Sequence, residues 1–394
     1  MLPLEGIRVV DFTVEVSGPT CGMLLADLGA DTIKVERPGT GEHAREVGAY
    51  ADKHFGVYFF QFNRNKRSLA LDLKKPDGKK IFLDLARTAD IVVENYSPGV
   101  VERLGIDYNQ VKEVNPRIIY CGISGFGKVN AVPQMKKPAY NIVAMGEAGL
   151  LTPYDAHKLE PVNPTKPQVA FVDLGTGMYA ALAILAALIA RQKTGRGQYI
   201  DMSMMRAAIS WREDMSMSDT KSMDNYVNIG PDRPFKAKDR WITISAATNQ
   251  HFESLFTLLG LTDVLADPEL KNFNSEPTMK KYRKFVDVLE EAVAKRDSKT
   301  LLEELTKVGV PCGRINTIDD LFDDQSLTDI IVKMRHPTAN VDVRVPGIPY
   351  RLSETPASIR FPAPVLGQHS VEILTELGYN KDQIENFRSS GVIQ

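Results

Sequence analysis

The sequence predicts an α/β fold: a large domain built on a parallel sheet, and a smaller α/β domain that follows it. Two observations carry this expectation. Strand and helix signals alternate through the first 200 residues, and that pattern stops after Trp211. A length of 394 residues also exceeds what one core normally supports. Ile7–Phe12 is a short β-branched run. Residues 19–28 then read as a helix, with Pro19 in its first turn and Met23, Leu24 and Leu28 at helical spacing, and residues 32–35 are strand-like again. The span 7–36 has the length of a βαβ crossover. A second round predicts a helix over 76–88, a strand over 91–94, a turn at Ser97-Pro98-Gly99 and a strand over 117–122.

The strongest helix signal covers residues 173–192. Leu174, Met178, Leu182, Leu185 and Ile189 mark one face, and alanines fill the rest, which predicts a helix buried all round. Gly195 and Gly197 end it, and residues 198–204 alternate like a strand. Residues 1–214 are therefore assigned to the first part of the large domain and 215–240 to a linker. The small domain takes 241–330, with a strand over 241–245 and helices over 251–259, 279–294 and 298–308. Residues 331–394 form a return linker and the C-terminal part of the large domain. They hold short strands, a Pro-rich stretch and a final helix over 370–377.

Composition narrows the class. Net charge is −2, from 48 basic and 50 acidic residues, which argues against a nucleic-acid partner. Three scattered cysteines form neither a disulfide framework nor a CxxC metal site. The N-terminus has no basic stretch leading into an apolar one, and the longest apolar run, 178–190, falls short of a membrane span. The expectation is a cytoplasmic enzyme without a membrane partner. Charge is unevenly spread: residues 34–137 hold 18 basic and 12 acidic residues. Lys34, Arg37, Arg45, Lys66, Arg67, Lys74, Lys75, Arg103, Lys136 and Lys137 fall beside turns and strand ends, where together they suit a polyphosphate.

The turn after the first strand, VEVSGP, lacks GxGxxG, so no nicotinamide cofactor is expected. The six histidines show no ligand spacing, and no metal is expected; His369 reads as capping or positioning the last helix. Asp173 opens the apolar helix in VDLGTG. It reads either as a helix cap or as a carboxylate nucleophile kept anionic by the helix dipole. The cap is the plainer reading; the apolar helix behind the carboxylate, and Gly175 and Gly177, poor helix formers that leave room beside it, weaken that reading.

Several segments together resemble class III CoA-transferases, the family of formyl-CoA:oxalate and carnitine CoA-transferases. They include GIRVVDFTVEVSGPTCGMLLADLGADTIKVERPGTGEHAR, ADIVVENYSPGVVERLG, NPRIIYCGISGFG and VDLGTGMYAALAILAALIARQKTGRGQYIDMSM. The likeness spans the chain and is weakest over 205–330. It implies a Rossmann-like large domain, a small α/β domain and an interlocked homodimer. It also implies coenzyme A as part of an acyl-CoA substrate and a small or medium carboxylic acid as acceptor. The family's catalytic aspartate maps onto Asp173. CoA contacts map onto Arg37, Lys74 and Arg103, with Val16 and Lys137 also at the CoA site. Val16 replaces a glutamine and Asn141 an acid of formyl-CoA transferase. Tyr140, Asn141, Gly175 and Gly177 become candidates for substrate contact or oxyanion stabilisation.

The implied reaction passes through an aspartyl mixed anhydride and an aspartyl–CoA thioester. Two departures bear on substrate and gating: residues 245–250 (SAATNQ) replace the family's glycine-rich loop, and 226–240 is shortened. The alternative is an α-methylacyl-CoA racemase of the same superfamily. Its histidine has no counterpart in Lys137-Pro138-Ala139-Tyr140-Asn141.

Overall fold

The computed structural model describes the chain except residues 49, 53–54, 130–136, 152–153, 156–159, 162–165, 213–230, 269–278 and 340. Lys136, His54, His157 and most of the expected linker lie outside the described residues. Two compact units emerge. The first comprises Met1–Leu151, Thr165–Arg212 and Ser326–Gln394, and the second Thr152–Pro164 and Glu213–Gln325.

The first unit is built on six strands. They are β1 (Arg8–Phe12), β2 (Asp31–Glu36), β3 (Lys66–Ala70), β4 (Ile91–Glu94), β5 (Ile119–Ser124) and β6 (Gln198–Ser203). All neighbours pair in parallel, in the order β3-β2-β1-β4-β5-β6. This is the doubly wound order, and the direction of winding reverses between β1 and β4.

Side chains along each strand alternate between two cores. On one face Val9, Ile91, Val93 and Ile119 meet helix α1 (Ser17–Asp27). On the other, Val10, Ile33 and Val92 meet Ile81, Phe82 and Leu85 of helix α2 (Pro76–Thr88). Helix α3 (Phe171–Thr194) covers the first face through Ala180, Ala181, Ile184, Ala187 and Leu188.

That packing corrects the reading of α3 as buried all round. Its small face lies inward, and Met178, Leu182 and Ile189 stand 55%, 62% and 59% exposed. At 24 residues α3 is also longer than the apolar run suggested, and by length and composition it would suffice to cross a membrane. Strand β3 was missed in the sequence. Its KRSLA run lacks β-branched residues, and Lys66 is wholly buried at the sheet edge.

The C-terminal segment seals the β3 edge. Ser68 N donates to His369 Nδ1 (3.1 Å) and Ala70 N to Ser370 Oγ (3.2 Å), while Leu71 bridges Ile393. His369 therefore serves the strand rather than capping the helix it precedes, Ser370–Glu376, which has no side-chain cap. The last helix is not that one but Lys381–Ser389, whose Ile384 joins the core beside Ile373 and Leu374.

The second unit pairs strand Asp232–Lys236 with Trp241–Ser245, and the latter with Cys312–Arg314, in an antiparallel sheet. The first of these strands falls inside the stretch read as linker. Helices Asn249–Leu258, Met279–Ala294 and Ser298–Lys307 supply Phe252, Phe256, Phe285, Leu289 and Leu301 to its core. The SAATNQ segment forms a short connection in which Thr248 Oγ1 accepts from His251 N at 3.1 Å.

Beneath the C-terminal ends of β1 and β2 lies a wholly buried ion cluster. Lys66 Nζ sits 2.7 Å from Asp11 Oδ2, Lys34 Nζ 2.9 Å from Glu42 Oε1, and Arg45 Nη2 2.7 Å from Glu36 Oε2. Burial raises the Asp11 carboxyl, but Lys66 and Lys34 outweigh it and the net shift is down. Removing one partner strands the other charge in apolar surroundings. Lys66→Met is expected to cost about 3–5 kcal/mol in urea unfolding, and Lys66→Met with Asp11→Asn to recover part of that.

Candidate active site

A cavity of about 400 Å³ opens where the strand order reverses. Its walls come from the ends of β1 (Phe12, Thr13, Val14) and β2 (Val35, Glu36, Arg37), from Leu71–Lys74 after β3, and from Tyr96 after β4. Phe12 and Tyr96 stack at 4.4 Å between ring centres and give the cavity an apolar floor with Val35, Leu71, Leu73 and Leu104. The Ser97-Pro98-Gly99 turn, with Gly99 at φ +88°, starts the short helix Val100–Leu104 that presents Arg103.

Arg37, Lys74 and Arg103 meet at this cavity, all with exposed side chains. A neighbouring cleft adds Lys75 and Lys79. Four other basic residues named from sequence are spent elsewhere. Lys34, Arg45 and Lys66 belong to the buried cluster, and Arg67 pairs with Asp31, Glu372 and Glu376. Lys137 is not brought to the cavity; it pairs with Glu147 and lies over the Phe126 ring. The sequence could not separate these groups, because a lysine in an ion pair and a free one read alike.

Asp173 is the third residue of α3, not its cap; Ala170 holds the cap position without a side-chain bond. The turn is capped from outside. Asn141 Oδ1 accepts from Val172 N at 3.0 Å and Asp173 N at 3.4 Å. Asn141 is buried and opens the helix Asn141–Glu147, and Tyr140 before it is exposed. Burial first, and the charge of Glu15 second, push the Asp173 carboxyl up to about 7. The expected anionic bias from the helix end does not prevail.

One turn beyond Asp173, Gly177 packs on the start of α1. A Cβ there would lie 2.6 Å from Ser17 O. Asp173, on the same face of α3, thus looks toward the Thr13–Val16 loop, whose first two residues line the cavity. Val16 is buried at the start of α1. Glu15 adopts φ +65°, a left-handed conformation uncommon outside glycine. Glu42 Oε2 accepts from Glu15 N at 2.7 Å, and the Glu15 carboxylate meets His43 Nδ1 at 2.9 Å. Tyr58 senses the charges of Asp173, Glu15 and Glu42, but burial is the main reason its hydroxyl rises to about 12.

The two glycines take a different role from the one expected. A Cβ on Gly175 would meet Trp211 Cζ2 at 2.0 Å, so indole already fills that space. Leu174 N already donates to Ala170 O at 3.0 Å, so Gly175 and Gly177 lie past the free first-turn amides. They serve close packing, not oxyanion binding. Glu15, Glu42, His43, Tyr58 and Trp211 were missed as site residues. Only Glu15 left a signal, as a lone acid in the turn after β1.

Comparison with known proteins bears on this arrangement. The model of CoA-transferase family III matches residues 4–370. A succinyl-CoA:glutarate CoA-transferase of Mus musculus is 34% identical, covering 100% of this chain and 91% of that protein. A formyl-CoA:oxalate CoA-transferase of Rhodopseudomonas palustris is 33% identical, covering 98% of this chain and 96% of that protein. Among solved structures, a CAIB/BAIF family protein from Brucella suis superposes with a TM-score of 0.81 at 31% identity, covering 95% of this chain and 99% of that one. With its six-stranded parallel sheet and a match across nearly its whole length, the chain belongs to CoA-transferase family III and is a CoA-transferase.

Proposed function

We propose that this enzyme moves CoA from an acyl-CoA to a free carboxylic acid by covalent catalysis at Asp173. One observation carries the reading. A carboxyl with a midpoint near neutrality faces the loop that lines a cavity rimmed by Arg37, Lys74 and Arg103, which are unpaired among the described residues. Exposed Arg37, Lys74 and Arg103 suit the phosphates of CoA, and the stacked Phe12–Tyr96 floor suits its adenine. The pantetheine arm then runs past Val14 toward Asp173.

An Asp173 oxygen attacks the thioester carbonyl carbon. The C–S bond breaks, CoA leaves as thiolate, and a mixed anhydride remains. The thiolate attacks the Asp173 carbonyl carbon, the anhydride C–O bond breaks, and the donor acid leaves. The acceptor carboxylate attacks the resulting aspartyl thioester and expels the thiolate. That thiolate takes the new acyl group and returns Asp173 as a carboxylate. Each step exchanges a thioester for an anhydride or the reverse, so no phosphoryl donor is required. A carboxylate that titrates near 7 is a stronger nucleophile than an ordinary aspartate and still ionises at neutral pH.

Relatives named for succinyl-CoA with glutarate and formyl-CoA with oxalate favour short acids, dicarboxylates first, as donor and acceptor. A homodimer is part of the proposal: the exposed Met178, Leu182 and Ile189 stripe on α3 offers a surface for a second copy to cover. The racemase alternative needs a base at the Tyr140–Asn141 segment. Tyr140 is a phenol there, and Asn141 already accepts two amides.

Asp173→Ala should lower exchange between acyl-CoA and acid by at least about a thousandfold while CoA still binds. Exchange near the wild-type rate would sink the covalent route. Incubating the enzyme with acyl-CoA and hydroxylamine should modify Asp173, as read by peptide mass spectrometry.

The acidic limb of kcat/KM should fall near pH 7, since Asp173 must lose its proton to attack. Glu15→Gln removes the like charge and should move that limb to lower pH, by less than the full shift because burial is the larger cause.

Arg103→Ala and Lys74→Ala should each raise the acyl-CoA KM by roughly tenfold with little change in kcat, and Lys137→Ala should change neither.

A further inference from the structure

The first turn of a helix leaves backbone amides without intrahelical partners. In α3 these amides belong to the turn that carries Asp173, and Ala170 has no side-chain acceptor for them. Asn141, 5% exposed and contributed by another helix, accepts from Val172 N and Asp173 N. Its own Nδ2 donates to Met145 Sδ at 3.2 Å, one turn along Asn141–Glu147. Met145 is 1% exposed, so that contact sits in packed core. The amide nitrogen is thus engaged on its own helix, and the oxygen is the end that faces α3. Asn141 ties both the position of the α3 start and the direction of its first amides to a second helix.

We propose that Asn141 is the positioning residue for Asp173: it caps the nucleophile's turn from outside and does so without adding charge. The inference rests on the reading of Asp173 given above. Charge neutrality matters because Asp173 already faces Glu15 from the loop before α1. Tyr58, the other titratable group that senses it, keeps its proton near neutral pH. On Asn141–Glu147 the titratable side chain is Glu147, at the far end and paired with Lys137. On α1, Asp27 lies at the far end and pairs with Arg64. The helix Met204–Ile209 contributes exposed Arg206. A carboxylate at 141 would be the group closest to the Asp173 amide. It would hold the turn equally well, but would favour the protonated nucleophile.

Two variants of the full-length enzyme separate the two halves of the proposal. Asn141→Ala should lower kcat for acyl exchange by about ten- to a hundredfold, with the acyl-CoA KM within roughly twofold. It should also speed hydrogen exchange at the amides of 171–174. Asn141→Asp should keep those amides protected and retain the thermal midpoint, and should move the acidic limb of kcat/KM up by about half a pH unit or more. Wild-type kcat and amide protection in Asn141→Ala overturn the positioning role. An unmoved limb in active Asn141→Asp overturns the need for a neutral cap. If Asn141→Ala does not fold, Asn141→Leu, which fills a similar volume without an acceptor, takes its place with the same expected signs. Absence of exchange in the wild-type enzyme for every acid pair defeats the function reading instead, and amide protection then still decides whether Asn141 caps the turn.

Discussion

The buried ion cluster under the ends of β1 and β2 organises the site. Its three cations and three carboxylates balance, which lets them sit out of water. Two of its members reach the backbone above. Lys34 Nζ donates to Thr13 O at 2.9 Å, and Glu42 accepts from Glu15 N. The Thr13–Val16 loop is thereby held between sheet and α3, with Glu15 kept at positive φ. Strained backbone of this kind persists where its surroundings over-determine it, and such places are often functional.

That cluster also sorts the basic residues. Lys34 of β2 and Lys66 of β3 point into the domain and are neutralised there. Those just past the strand ends, Arg37 and Lys74, and Arg103 on a short helix, reach the cavity. The same stretch of chain supplies an interior that needs charge compensation and a rim with charge to spare. A doubly wound sheet places that rim at its carboxyl edge, where the winding reverses.

Helix α3 joins two demands that pull apart. Its alanine face must lie close on the sheet, and its glycines lie close on other neighbours, Gly177 on the start of α1 and Gly175 on Trp211. Its first turn must present a carboxylate that is neither deeply sealed nor freely solvated. Capping from Asn141 meets the second demand without lengthening the helix or placing an acid beside Asp173. The outward Met178, Leu182 and Ile189 stripe is a third property of this helix, unrelated to the chemistry at its start.

Much of this was legible in the sequence. Strand and helix alternation marked five of the six sheet strands. Local pattern pointed to Asp173 and to a broad set of basic residues, and only the family resemblance narrowed that set to Arg37, Lys74 and Arg103. Strand β3 did not show, since its lysine is tolerated only because Asp11, two strands away on β1, pairs with it. The inward face of α3 was misjudged, because alanine and leucine differ in how closely a neighbour can come and not in polarity alone. The purpose of Gly175 and Gly177 was misread for a similar reason: absent side chains look the same whether the space goes to a ligand or to an indole. Sequence by itself determined the α/β class and singled out Asp173 and a set of basic residues as candidates. Tertiary structure alone decided which cations are drawn into the buried cluster and which reach the cavity, that Asn141 caps the turn, and that burial with Glu15 brings the carboxyl to near neutrality. Those properties belong to pairs of residues far apart in the chain, and their energies depend on distance and on the loss of water.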